Sequence, residues 1–176
     1  MRNEKRLILL SDLWGKEKAS WIDQYTTILK GHFDLQFYDS CELGDVSKSD
    51  YTQESLHQQF IDFGIDQSVQ NLIQLEKKRL SVLAFSVGGV IAWNYALQTS
   101  LLDKLYCVSS TRLRYETQKP EGHIELYYGK LDQHQPAQEW FEKIGLDCIG
   151  FNQRGHDLYT EPSFANNLAE HIIRSH

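Results

Sequence analysis

Short apolar runs alternate with stretches of helical spacing along the chain. Residues Leu7, Ile8, Leu9 and Leu10 are apolar in succession, the pattern of a strand covered on both faces. Trp21, Ile22, Tyr25, Ile28 and Leu29 recur at three- and four-residue steps and predict an amphipathic helix closing near Gly31. Residues 33–38 alternate as a second strand, and the polar, turn-rich stretch 39–52 reads as a loop. Leu56, Phe60, Phe63, Val69, Leu72 and Ile73 predict a longer helical region broken at Gly64. Residues 80–85 form a third apolar run, followed at once by Gly88, Gly89 and a helical run to about Leu97.

Further strands are expected over 105–108, 124–128 and 148–151. Pro136 suits the first turn of a helix that puts Ala137, Trp140, Phe141 and Ile144 on one face. A last helix starts near Pro162, with Thr160 as its candidate cap and Phe164, Leu168, Ile172 and Ile173 inward. This rhythm of strand and helix predicts one domain over 1–176. Its expected form is an α/β three-layer α/β/α sandwich around a mostly parallel sheet of about six strands. Ligands of such sheets sit at the carboxyl ends of the strands, so chemistry is sought there.

Composition narrows the classes. The 176 residues, 41% of them hydrophobic, are enough for one self-sufficient core. A net charge of -6 argues against nucleic acid and anionic membrane surfaces as partners. No apolar run approaches the length of a membrane span, and the N-terminus has only four apolar residues, Leu7 to Leu10, before Ser11 and Asp12. These are too few for an export signal and come without a small-residue cleavage site, so membrane insertion is not expected and the cytoplasm is. Cys41, Cys107 and Cys148 show no paired spacing, and no metal-ligand motif or cofactor loop is evident; neither metal nor cofactor is expected.

The strand ends carry Ser11-Asp12-Leu13-Trp14-Gly15, Ser86-Val87-Gly88-Gly89, Gly129-Lys130-Leu131-Asp132 and Arg154-Gly155-His156-Asp157. A serine, an aspartate and a histidine thus follow three different strands in that order. Ala84-Phe85-Ser86-Val87-Gly88 joins strand to helix without a loop, a turn that requires small residues at 84 and 88. It lifts the Ser86 hydroxyl above the sheet and leaves the Val87 N–H unpaired at a helix N-terminus, able to hold an oxyanion. Asp132 has a plainer reading as a helix cap ahead of Pro136.

On these motifs the chain resembles the α/β-hydrolase superfamily over almost its whole length. Ala-Phe-Ser-Val-Gly matches the family's G-x-S-x-G elbow with Ala84 in place of the first glycine. The resemblance implies Ser86 as nucleophile, His156 as general base and Asp132 as the acid that orients it. Asp12-Leu13-Trp14-Gly15 looks like a degenerate copy of the H-G-W-G oxyanion loop of pimeloyl-carrier-protein methyl esterases. That likeness implies the Trp14 N–H as second donor beside Val87, with Leu13 as the alternative. Phe85 and Leu13 are candidate pocket residues; His32, His57, His123, His134, His171 and His176 are read as solvated or structural.

Some fifteen residues join the two strands where relatives insert a helical cap, so a minimal, capless hydrolase with an open cleft is expected. The implied activity is cleavage of a small-molecule ester or acyl thioester, free or carrier-bound, through an acyl-enzyme. One alternative is a hydrolase-fold binding or regulatory protein with little activity. Another is a nucleotide-binding domain, which would need a glycine-rich phosphate loop that Ser11 to Gly15 does not provide.

Overall fold

The computed structural model describes residues 5–176; Met1 to Glu4, which open the segment read for an export signal, lie outside the described residues. Six strands form one sheet: β1 (Lys5–Leu10), β2 (Phe33–Tyr38), β3 (Leu80–Phe85), β4 (Leu102–Val108), β5 (His123–Gly129) and β6 (Cys148–Phe151). Their order is β2-β1-β3-β4-β5-β6, and every pairing is parallel. The apolar runs of β1 and β3 are explained by this position, since both are interior strands covered on both faces.

Helices α1 (Asp23–Leu29) and α7 (Pro162–Ser175) cover one face. They bury Tyr25, Leu29, Phe164, Leu168 and Ile172 against Leu7, Leu9, Leu83 and Phe85. The other face carries α2 (Ser40–Leu43), α3 (Gln53–Gln59), α4 (Ile65–Leu75), α5 (Val87–Thr99) and α6 (Gln138–Ile144), packed on Ile8, Leu10, Val82 and Ala84. Side chains from alternate positions of each strand feed the two cores, which gives the three layers. Among the described residues no helix is long and apolar enough to cross a membrane.

Several local expectations are corrected. The stretch read as a loop contains α2, because the Asp39 carboxylate accepts the N–H groups of Cys41 at 2.7 Å and Glu42 at 3.2 Å and starts a turn. The chain is not broken at Gly64. A π-helical segment, Phe60–Gly64, carries α3 into α4, and a Cβ at 64 would meet Val46 at 2.7 Å. The resulting shift of phase leaves Phe63 exposed instead of inward. Pro136 precedes α6, whose N-cap position is Ala137, and the N-cap position of α7 is Glu161 rather than Thr160, with no side-chain capping bond at either.

Candidate active site

β3 ends at Phe85, and α5 begins at Val87, leaving Ser86 alone to make the turn. Its backbone takes φ 51 and ψ -118, a conformation that favours glycine. The turn is over-determined by neighbours: the Ser86 N–H donates to Val108 at 3.0 Å, and its carbonyl accepts from Gly89 at 3.1 Å and Thr111 at 3.2 Å. Gly88 is small because of the adjacent strand end, where a Cβ would lie 2.9 Å from the Leu10 and Ser11 carbonyl oxygens.

The loops after β5 and β6 are stitched together, Lys130 N–H to Phe151 at 2.9 Å and Leu131 N–H to Arg154 at 2.9 Å. This registers Asp132 against His156, the first residue of a 3-10 turn, His156–Thr160. Ser86 Oγ lies 3.0 Å from His156 Nε2, and His156 Nδ1 lies 2.9 Å from Asp132 Oδ2. The other Asp132 oxygen accepts the His134 N–H at 2.9 Å. Burial alone would raise the Asp132 carboxyl, but the donors from His156 and His134 outweigh it and hold it below the ordinary range.

The loop after β1 is held by its own side chains. Ser11 Oγ accepts the Ser40 N–H at 2.8 Å, and the Leu13 carbonyl accepts from Cys41 Sγ at 3.1 Å. The Tyr51 hydroxyl donates to the Trp14 carbonyl. Asp12 is buried, with Oδ1 accepting the Trp14 N–H at 3.0 Å and Oδ2 the Tyr159 hydroxyl at 2.9 Å. Burial raises its pKa despite both donors.

A cavity of about 370 Å³ opens over Ser86. Leu13, Trp14 and Val87 line it beside His156, while His57 of α3 and Phe60, the first residue of the π-helical segment, form a side wall. The expected open cleft is therefore partly walled, by a helix lying just beyond the stretch read as loop. A second hollow, about 400 Å³, lies between β5, β6 and α7 and holds none of the three triad candidates.

No protein-family model matches this sequence, and no curated protein sequence does. The structure is similar to that of a hydrolase assigned to the α/β superfamily from Xanthomonas campestris pv. campestris, with TM-score 0.71 and 14% identity over 100% of both chains. It is also similar to a carboxylesterase from Bacillus subtilis (TM-score 0.65, 11% identity, 100% of this chain and 86% of that one). A monoacylglycerol lipase from Paleococcus ferrophilus superposes likewise (0.64, 11%, 98% and 95%). This chain has the α/β-hydrolase fold. In that fold the strand ends already described are where side chains from distant segments meet.

Set on the α/β-hydrolase fold, the sequence expectations divide. Ser86, Asp132 and His156 come together, and Val87 and Leu13 face the cavity. Trp14 also lines it, but its N–H is occupied by Asp12 Oδ1, whereas no acceptor among the described residues takes the Leu13 N–H. Phe85 does not line the cavity. It is fully buried on the opposite face of the sheet, against Trp21, Tyr25 and Tyr159 at ring distances of 4.7, 5.0 and 5.4 Å. The plainer reading of Asp132 as a helix cap is not borne out: α6 starts from Ala137 with no side-chain cap bond, and Asp132 holds the turn at His134 with one oxygen and His156 with the other.

Sequence reasoning missed His134, whose ring stands edge-on to His156 at 5.0 Å, and Arg112, which lines the cavity. Burial and then the proximity of His156 lower the His134 pKa. Donor atoms of Asp132, His134 and His156 lie within 4.8 Å of one another, but a metal there would compete with the hydrogen bonds that the Asp132 carboxylate and the His156 ring already make.

Proposed function

We propose that the protein is a serine hydrolase that cleaves a carboxylic ester or thioester through an acyl-enzyme on Ser86. The observation that carries this reading is the unbroken relay from Asp132 through His156 to Ser86, on a strained turn at a cavity floor. Fold likeness to a carboxylesterase and a lipase supports it.

In the forward step His156 Nε2 takes the Ser86 proton as Oγ attacks the carbonyl carbon, and Asp132 stabilises the imidazolium. The N–H groups of Val87 and Leu13 receive the developing negative charge, each worth about a hundred- to a thousandfold in rate. Collapse expels the alcohol or thiol, which takes the proton from His156. Water then enters, is deprotonated by His156 and releases the acid by the same route. Assigning the second donor to Leu13 replaces the expectation for Trp14, and follows from the Asp12 carboxylate already occupying the Trp14 N–H.

The test is covalent labelling with a fluorophosphonate. Stoichiometric labelling of Ser86, absent in Ser86→Ala, is the expected result. A folded protein that ignores the probe would favour the binding or regulatory alternative.

A further inference from the structure

Arginines in this chain are mostly paired. Arg6, Arg79, Arg154 and Arg174 each lie within ion-pair distance of a carboxylate. Arg112 and Arg114 pair with none among the described residues. Both sit in the segment after β4, their guanidinium carbons 4.9 and 4.7 Å from the Tyr115 ring centre.

Arg112 is the one that reaches the site. It is half-buried, lines the cavity over Ser86, and follows Thr111, whose N–H is bonded to the Ser86 carbonyl at 3.2 Å. Its backbone is left-handed, with φ 68 and ψ -4, a conformation uncommon for a residue with a Cβ. His57 and His134 flank the same space, and the acid there, Glu54, is exposed at the rim on α3. In a protein of net charge -6, a half-buried arginine without a carboxylate partner keeps its guanidinium donors free for an anion.

We infer that the substrate carries a carboxylate in addition to its scissile ester, and that Arg112 binds it as the carbonyl settles over Ser86. This inference rests on the hydrolase reading. A guanidinium presents two parallel N–H donors that match the two oxygens of a carboxylate, which adds orientation to attraction. The second carboxylate belongs to the acyl part or to the leaving group, and the two sources are separable.

For the acyl part, the para-nitrophenyl half-ester of adipic acid is compared with para-nitrophenyl hexanoate. For the leaving group, para-acetoxybenzoate is compared with para-acetoxybenzamide. The anionic member of one pair is expected to show kcat/KM about tenfold higher or more, the scale of one charge-assisted hydrogen-bonded contact. In Arg112→Gln that ratio should fall to about one, mainly through KM, and Arg112→Lys should restore part of it. Arg112→Gly suits the left-handed backbone and serves as a second variant should Gln impair folding.

Equal rates within both pairs, or a preference that survives loss of Arg112, would overturn the inference. Such a result would leave the hydrolase reading intact if the fluorophosphonate still labels Ser86. Should labelling fail, adipate titrated calorimetrically into wild type and Arg112→Gly decides the matter without turnover. Binding that disappears in the variant supports the carboxylate site, and no binding to either protein refutes it.

Discussion

In Asp132 one carboxylate oxygen holds a turn and the other holds an imidazole. Asparagine can keep the first contact through its carbonyl, but its amide would donate to His156 Nδ1 and force the proton onto the wrong nitrogen. Asp132→Asn is therefore expected to fold while losing turnover by about ten-thousandfold, measured as kcat on any ester the wild type cleaves. Because its pKa is lowered in the folded state, ionised Asp132 stabilises the protein above the ordinary carboxylate range, and that contribution fades as pH falls through the folded value. At this scale the sequence was informative wherever chemistry follows directly from a strand end, as at Ser86, Asp132 and His156. It misled at Phe85, which alternation sends to the face opposite its neighbour, and at Trp14, whose N–H an aspartate two residues earlier captures. Arg112 left no mark because nothing near it in the chain says that it lacks a partner.

The junction of β3 and α5 depends on what β1 does beside it. A methyl group at Gly88 would press on backbone oxygens that belong to the central sheet and have no room to retreat. Gly88→Ala is expected to destabilise by about 1–3 kcal/mol, read from the denaturant midpoint at unchanged m-value. The strands were legible because interior parallel strands are mostly apolar, as in Leu7 to Leu10 of β1 and Val82 to Phe85 of β3. The join of α3 to α4 was not, since a glycine in a helical pattern suggests a break while here it permits a π-helical segment against Val46. Phe60, the first residue of that segment, lines the cavity beside His57 of α3, so the misread join also helps to shape the pocket.

Across the whole molecule, Asp12 and Tyr159 connect the loop after the first strand to the turn that carries His156, although they lie at opposite ends of the sequence. The acid is held there against its own preference, since burial raises its pKa. A raised carboxyl pKa means that ionisation costs stability as pH climbs above the ordinary range. Asp12→Asn keeps an acceptor for the Trp14 N–H and can still pair with the Tyr159 hydroxyl. It is expected to raise Tm at neutral pH, with the gain shrinking toward zero as pH falls to about 4. Removing the hydroxyl instead, in Tyr159→Phe, leaves the buried carboxylate short of a donor and should cost about 1–3 kcal/mol in chemical unfolding.

The backbone at Ser86 has a consequence of its own. Glycine would adopt that geometry without strain, so Ser86→Gly is expected to melt at a higher temperature than the wild type while losing all reactivity toward the fluorophosphonate. A lineage with no use for a hydroxyl there would gain robustness by discarding it, and drift would run toward the smaller residue. On the serine-hydrolase proposal, the side chain at 86 marks a standing conflict between durability and chemistry.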